Sequence, residues 1–220
     1  MHHLSAVEAR VLGSLAEKSL TTPDYYPLSI NALTNACNQT SSRDPVVTYS
    51  EQTVTQALES LREKKLAFLF QGADSRVARY GHRLVEAFGL SRPESAVLLV
   101  LMLRGPQTVG EVRTRTGRMC EFASLDEAES CLSALAARTP DPLVLKLPRM
   151  SGMKEQRFAH LLSGPVGVDT LGDVSAPHAT APAGDTAEER IRRLEEEAAA
   201  LRTEVAGLSR ELGELRKLLE

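Results

Sequence analysis

Two stretches of this chain carry the same ordered set of helix-start signals, and that repetition limits the fold more than any other feature. Leu4-Ser5-Ala6-Val7-Glu8 leads into Val11, Leu12 and Leu15, and Leu90-Ser91-Arg92-Pro93-Glu94 leads into Val97, Leu98 and Leu101. In each, an apolar residue precedes a serine N-cap and a glutamate follows three positions later. That is the staple and capping box that open an amphipathic helix. Ser29 then opens a short helix through Ile30 and Leu33, as Thr108 does through Val109 and Val112. Pro27 and Pro106 each stand two residues before the cap. Ser50 starts a third helix with Val54, Ala57, Leu58 and Leu61 on one face, and Ser124 starts its counterpart with Ala128, Cys131, Leu132 and Leu135 at the same spacing. Each third helix runs into a short apolar segment, 66–70 or 143–147. A turn with Gly72 or Gly152 follows, and a second segment returns at 77–80 or 157–161. Strand, glycine turn, strand is a hairpin signature.

Three helices and a hairpin, occurring twice, is the element order of the winged helix, with the second and third helices as helix-turn-helix and the hairpin as wing. The expected fold class is therefore α+β and mostly helical: winged-helix domains over 1–86 and 87–164, then a C-terminal coiled-coil helix. Between 165 and 184 the chain is rich in Gly, Ala, Pro, Thr and Asp without periodicity, the composition of a flexible linker. From 185 to 220 apolar residues fall at alternating steps of three and four: Ile191, Leu194, Ala198, Leu201, Val205, Leu208, Leu212, Leu215 and Leu219. This a/d seam, with leucine at every d, predicts a parallel two-stranded coil. The pairs Arg190 with Glu195, Glu197 with Arg202 and Glu211 with Arg216 suit the parallel arrangement, whereas an antiparallel pair would set Glu197 against Glu204. The competing arrangement is a long helix folded back on its own body. The expected assembly is a parallel homodimer.

Composition excludes several classes. Hydrophobic residues make up 42% and charged residues 25% of the chain, as in an ordinary core-forming protein. No run approaches the ~18 apolar residues that a bilayer span needs. The N-terminus has no basic stretch followed by an apolar segment, so a cytoplasmic location and no membrane partner are expected. The three cysteines, Cys37, Cys120 and Cys131, form no CxxC pair and suit reduced thiols. Cys37 and Cys131 sit in apolar helical patterns and are expected to act as small core residues. The net charge of −3 is uneven: residues 1–170 hold 19 Lys+Arg against 18 Asp+Glu, and 171–220 hold 7 against 11. Nucleic-acid binding would have to come from local clusters, not from an overall basic field.

The stretch Thr21-Thr22-Pro23-Asp24-Tyr25-Tyr26-Pro27-Leu28-Ser29, the following Ala36-Cys37-Asn38-Gln39, Arg104-Gly105-Pro106-Gln107-Thr108 and Leu147-Pro148-Arg149 together resemble the YceH family of bacterial proteins. With the region from Arg157 to Leu161, the resemblance spans nearly all of 4–164. It implies tandem winged helices and a bacterial source, and it supplies no biochemical activity.

Catalytic constellations do not stand out. The histidines have neither HExxH spacing nor cysteines at zinc spacing, no glycine-rich phosphate loop occurs, and no serine sits in a GxSxG elbow. No enzyme activity, cofactor or metal is expected. With its apolar face inward, the first unit's third helix presents Gln52, Gln56, Glu59 and Glu63 outward, flanked by Thr55. Glutamine can pair with an adenine edge and threonine with phosphate. Arg43 in the preceding loop and Arg76 and Arg79 on the wing are candidate phosphate contacts. Arg113, Arg115 and Arg118, on and after the second helix of the second unit, form a further basic cluster. That unit's third helix presents Asp126, Ser130, Ser133 and Ala137, with Glu127 and Glu129 on its flanks, which would repel a phosphate backbone. Two functions follow as expectations: a DNA-binding transcriptional regulator, or an interaction adaptor whose winged helices dock proteins.

Overall fold

The computed structural model describes residues 3–70, 77–149 and 155–164. Over these residues the chain is α+β, with seven α-helices, one 3-10 turn and five short strands in two antiparallel sheets. The linker and the heptad segment predicted over 165–220 lie outside the described residues.

Helix α1 (Ala6–Thr21) begins where the capping box places it: Ser5 accepts from the Glu8 amide while the Glu8 carboxylate accepts from the Ser5 amide. A 3-10 turn, Pro23–Tyr25, and a two-residue strand β1 (Leu28–Ser29) lead into α2 (Ile30–Cys37), capped by Ser29. Helix α3 (Glu51–Glu63) is capped by Ser50 and buries Val54, Ala57, Leu58 and Leu61, the four positions read from its periodicity. Strands β2 (Ala67–Phe70) and β3 (Arg79–His82) form the hairpin, and β1 adds to β3 through Leu28 opposite Tyr80. At Gly81, opposite Phe68, a Cβ would lie 2.4 Å from the phenyl ring, so the close ring–backbone contact requires glycine.

A short helix α4 (Leu84–Phe88), not anticipated from the sequence, leads to α5 (Arg92–Arg104), and the order then repeats. Ser91 and Glu94 form a second capping box, and Thr108 and Glu111 a third at the start of α6 (Val109–Thr116). Ser124 caps α7 (Leu125–Ala136), which buries Ala128, Leu132 and Leu135. Strands β4 (Val144–Lys146) and β5 (Phe158–His160) close the second hairpin. Gln107 bridges Phe158 by two backbone hydrogen bonds, directly before its helix cap, as Leu28 bridges Tyr80 directly before Ser29. The two halves therefore share strand placement as well as helix order.

Helix α5 is buried from Ser95 to Leu103. A helix apolar all round needs neighbours all round, and α5 has them: α1 on one side, α6 and α7 on the other. The α1–α5 crossing is close at Gly13, where a Cβ would stand 3.1 Å from Leu103 Cδ2. Cys37 is fully buried and its thiol pKa is raised by burial, while Cys131 packs at the core edge and its thiol is pushed up to about 11, by burial first and the nearby Glu94 next.

Candidate nucleic-acid interface

The face that would read a duplex is built from α2, α3 and the β2–β3 hairpin. Helix α3 can turn an outer face to solvent because its apolar residues all fall on the stripe packed against α1 and α2. Gln52 and Gln56 are exposed one turn apart, with Glu59 exposed beyond them. Thr55 is half-buried, and its hydroxyl donates to the Glu51 carbonyl at 2.8 Å. The Glu51 carboxylate accepts from Asn31 Nδ2 at 3.1 Å, which ties the start of α3 to α2. The loop between these helices is locked by Asn38. Its amide donates to the Tyr49 carbonyl and accepts from the Tyr49 amide, both at 2.8 Å, as a neighbouring strand would.

Arg43 is a correction to the sequence reading. It is 5% exposed and does not face solvent. Its guanidinium donates twice to the carboxylate of Glu17 on α1, at 3.1 and 2.6 Å, and its Nε and Nη2 both donate to the Ala36 carbonyl at the end of α2. Arg10, also buried, donates to the Cys37 and Pro45 carbonyls. Two arginines thus satisfy the last carbonyls of α2, where orphan acceptors and the negative end of the helix dipole favour a cation. Burial pulls the Arg10 pKa below its ordinary value, with Arg43 adding to the effect and Tyr49, Cys37 and Asp44 opposing it. Neither arginine is available to phosphate.

Of the two arginines expected on a wing, Arg76 lies outside the described residues. Arg79 is exposed and donates to the Pro27 carbonyl at 3.0 Å. The basic cluster of the second repeat splits in two. Arg113 is exposed but turned toward the α6–α7 loop, holding the Phe122 and Ala123 carbonyls at 3.2 Å each. Arg115 faces the other way, bonded to Gln107 and paired with Glu111 at 3.5 Å. It lines a cleft together with the exposed Arg118 and two cations the sequence reading did not select, Lys18 and Arg104. On α7, Asp126, Glu127, Glu129, Ser130 and Ser133 are exposed, as the periodicity predicts. Glu127 accepts from the Ala123 amide, and Glu129 pairs with Lys146 at 3.4 Å.

Against known proteins, a family model described as "Protein of unknown function, DUF480" matches residues 4–153. The chain belongs to this family. Among its relatives, a "UPF0502 protein" of Opitutus terrae is 56% identical over 199 residues, covering 90% of this chain and 83% of that protein. One of Geotalea uraniireducens is 52% identical over 218 residues, covering 99% and 95%. One of Vibrio parahaemolyticus is 45% identical over 216 residues, covering 96% and 97%. Membership agrees with the YceH resemblance of the sequence, and every candidate contact residue falls within the matched segment. No helix among the described residues is long and apolar enough to cross a membrane.

Lys18 and Arg104 escaped the sequence reading because proximity in the fold, not spacing, defines their site. The lining residues come from α1, the α2–α3 loop, α5 and α6 with its following turn, four segments no periodicity connects. The inward turn of Arg43 was hidden for the same reason, its carboxylate lying 26 positions away.

Proposed function

We propose that the chain is a cytoplasmic, non-enzymatic DNA-binding regulator built from two winged-helix units, 1–86 and 87–164. In this reading α3 enters the major groove, and the heptads of 191–219, beyond the linker of 165–184, join two copies in parallel. One observation carries it: Gln52 and Gln56 stand exposed on α3, and neither amide has a hydrogen-bond partner among the described residues. A glutamine amide can make a two-point contact with the N6/N7 edge of adenine, worth about 1–3 kcal/mol of discrimination per pair. Arg79 on the adjacent hairpin would take a phosphate.

A second reading, the protein-interaction adaptor, is favoured by the second repeat. A groove of about 380 Å³ there is lined by Leu125, Asp126, Glu129, Glu155 and Phe158, with Lys146 as its one cation among the described residues. Its chemistry suits a partner segment mixing basic and apolar residues. The burial of Arg43 adds weight, since it removes one of three cations that would have joined into a positive surface on the first unit.

Selection of bound sites from a random duplex pool, with the full chain at several salt concentrations, separates the two. A regulator enriches a motif containing adenine, and Gln52→Ala with Gln56→Ala abolishes that preference while weakening binding about ten- to a hundredfold. An unenriched pool with no salt-dependent duplex binding leaves the adaptor reading standing.

A further inference from the structure

We infer that the cleft between the two repeats is a binding site for a single oxyanion, the phosphate group of a small phosphorylated ligand, gripped by Lys18, Arg104, Arg115 and Arg118. The inference does not rest on DNA binding by α3.

The cleft measures about 90 Å³ and its surface is mainly polar. A buried water needs roughly 10–15 Å³ of such space, so several waters or one tetrahedral oxyanion fit. Apolar small-molecule pockets typically run to about 300–1,000 Å³, which excludes a bulky hydrophobic ligand. The charge balance is more selective than the size. Four cations face one lining carboxylate, Glu17, and Arg43 already holds both oxygens of that carboxylate from behind.

Arg115 is already paired with Glu111 at 3.5 Å and bonded to Gln107, but the other three cations are little engaged. Arg104 meets one side-chain partner, the neutral Ser42 hydroxyl, at 2.7 Å. Lys18 reaches Gln39 at 3.4 Å and Glu17 only at 3.9 Å. Arg118 has neither an ion pair nor a hydrogen bond among the described residues. Burial and then the nearby Arg115 guanidinium lower the Arg104 pKa, with Arg43 adding to the effect and Glu17 and Asp44 opposing it. Bringing like charges together costs free energy that an anion placed among them returns. The planar forks of three arginines match the geometry of a phosphate better than that of chloride.

The backbone is shaped for the site as well. Ser42 adopts a left-handed conformation, φ 61°, uncommon for serine and costly enough to need support. Two arginines give that support: the Ser42 carbonyl accepts from the buried Arg43 at 2.9 Å, and its hydroxyl from Arg104, which lines the cleft. A duplex is a poorer occupant. It offers phosphates in a row along each strand, whereas these cations converge on one concave position.

Calorimetric titration of the full chain at low ionic strength with inorganic phosphate, glycerol 3-phosphate and glycerol tests the site, with sodium chloride as control. Saturable binding of phosphate or glycerol 3-phosphate is expected, with none for glycerol. Tighter binding of glycerol 3-phosphate identifies a phosphorylated metabolite as the source, and equal or tighter binding of inorganic phosphate identifies the free ion. Arg118→Ala, at an exposed and unpaired position, should weaken binding about tenfold without changing thermal stability, and Arg104→Gln should weaken it at least as much. Absence of saturable binding by both phosphate probes overturns the proposal, as does unchanged affinity in both variants. Loss of duplex affinity in Arg118→Ala, with neither phosphate probe binding, would reassign the cations to a nucleic-acid backbone and also overturn it.

Discussion

The two repeats place the same kinds of residue at matching positions and then use them differently. Glu8 and Glu94 close the capping boxes of α1 and α5, and each meets a cation just past the third helix of its repeat, Lys64 or Arg138. In the first repeat the pair is 2.5 Å apart with the carboxylate 7% exposed; in the second it is 3.8 Å apart with the carboxylate 22% exposed. His82 and His160 each end the second strand of a hairpin. His82 has partners at both ring nitrogens, whereas Nδ1 of His160 is buried with none among the described residues. The third helices also diverge, α3 presenting the amides of Gln52 and Gln56 beside its glutamates, and α7 carboxylates beside serines. Shared caps and apolar faces maintain one scaffold twice, while polar residues between the elements set how tightly each copy is held and what its surface can bind.

The sharpest way to break this comparison is to remove the arginine that locks each second helix to its surroundings. Arg43→Ala leaves the largely buried Glu17 with only Lys18, 3.9 Å away, and takes two donors from the Ala36 carbonyl. Breaking a buried pair from one side costs about 3–5 kcal/mol. Arg113→Ala removes an exposed side chain and its two bonds to loop carbonyls, one part-buried at Phe122 and one exposed at Ala123, at a cost of about 1 kcal/mol. Urea unfolding of both variants should show that gap. The double substitution Glu17→Met with Arg43→Met should recover part of the first loss, because no charge is then stranded. Equal, small losses in the two single variants would mean that the Arg43 pair does not hold the first repeat together.

The capping glutamates sharpen it next, through pH. Burial alone would raise the Glu8 pKa, but hydrogen bonds from Lys64, Ser60 and the Ser5 amide outweigh it and bring it down to about 2. A carboxylate with a folded pKa below its unfolded one contributes fully above the unfolded value, about 4.3, and loses that contribution as pH falls through the folded value. Stability should therefore drop between about pH 5 and pH 2. Lys64→Met should flatten that drop and cost about 2 kcal/mol at neutral pH. Glu94 is also lowered: burial opposes the shift, but Ser91 and then Arg138 outweigh it. Arg138→Met should nonetheless cost only about 1 kcal/mol, including the loss of its bond to the Phe88 carbonyl. Acid unfolding curves identical to the native chain in Lys64→Met would remove Glu8 from this role.

Local rules explain what was legible in advance. Caps and apolar periodicity are properties of consecutive residues, so Ser5, Ser29, Ser50, Ser91, Thr108 and Ser124 could each be read as a helix start, and each caps one. The same logic located the outward faces of α3 and α7. Helix α4 was missed because five residues hold too little of a period to register. Charged residues were the weak point, since a long side chain takes its meaning from whatever it reaches. Arg43 reads as an exposed loop residue until α1 brings Glu17 beside it, and Arg113 and Arg115, two positions apart, turn to opposite sides of α6. The cleft was illegible for the same reason.

The smallest expected effect comes from the two hairpin histidines, and it is the one where the repeats should differ in sign. Ser19 Oγ lies 2.9 Å from Nε2 of His82, and the Leu84 amide donates to Nδ1 at 3.2 Å. His82→Phe forfeits both and strands a backbone donor, a loss of about 1–2 kcal/mol. His160 has a buried Nδ1 to lose and no described bond with it, so His160→Phe should be neutral or stabilising by up to about 1 kcal/mol at neutral pH. Burial pushes the His160 pKa down to about 4. An unfolded histidine titrates near 6.5, so below that pH the unfolded chain binds the proton more readily than the folded one. The contribution of neutral His160 is complete above about pH 6.5 and is lost as pH falls through about 4. His82 is also lowered by burial, against the opposing charge of Glu86, and shifts stability in the same direction. Both variants should therefore flatten the acid side of the stability–pH curve while moving its neutral plateau in opposite directions, His82→Phe downward and His160→Phe level or upward. Thermal unfolding from pH 4 to pH 8 measures both quantities at once. If His160→Phe lowered the plateau as far as His82→Phe does, the Nδ1 of His160 would have a partner in solution, and the two hairpins would be alike where this structure makes them differ.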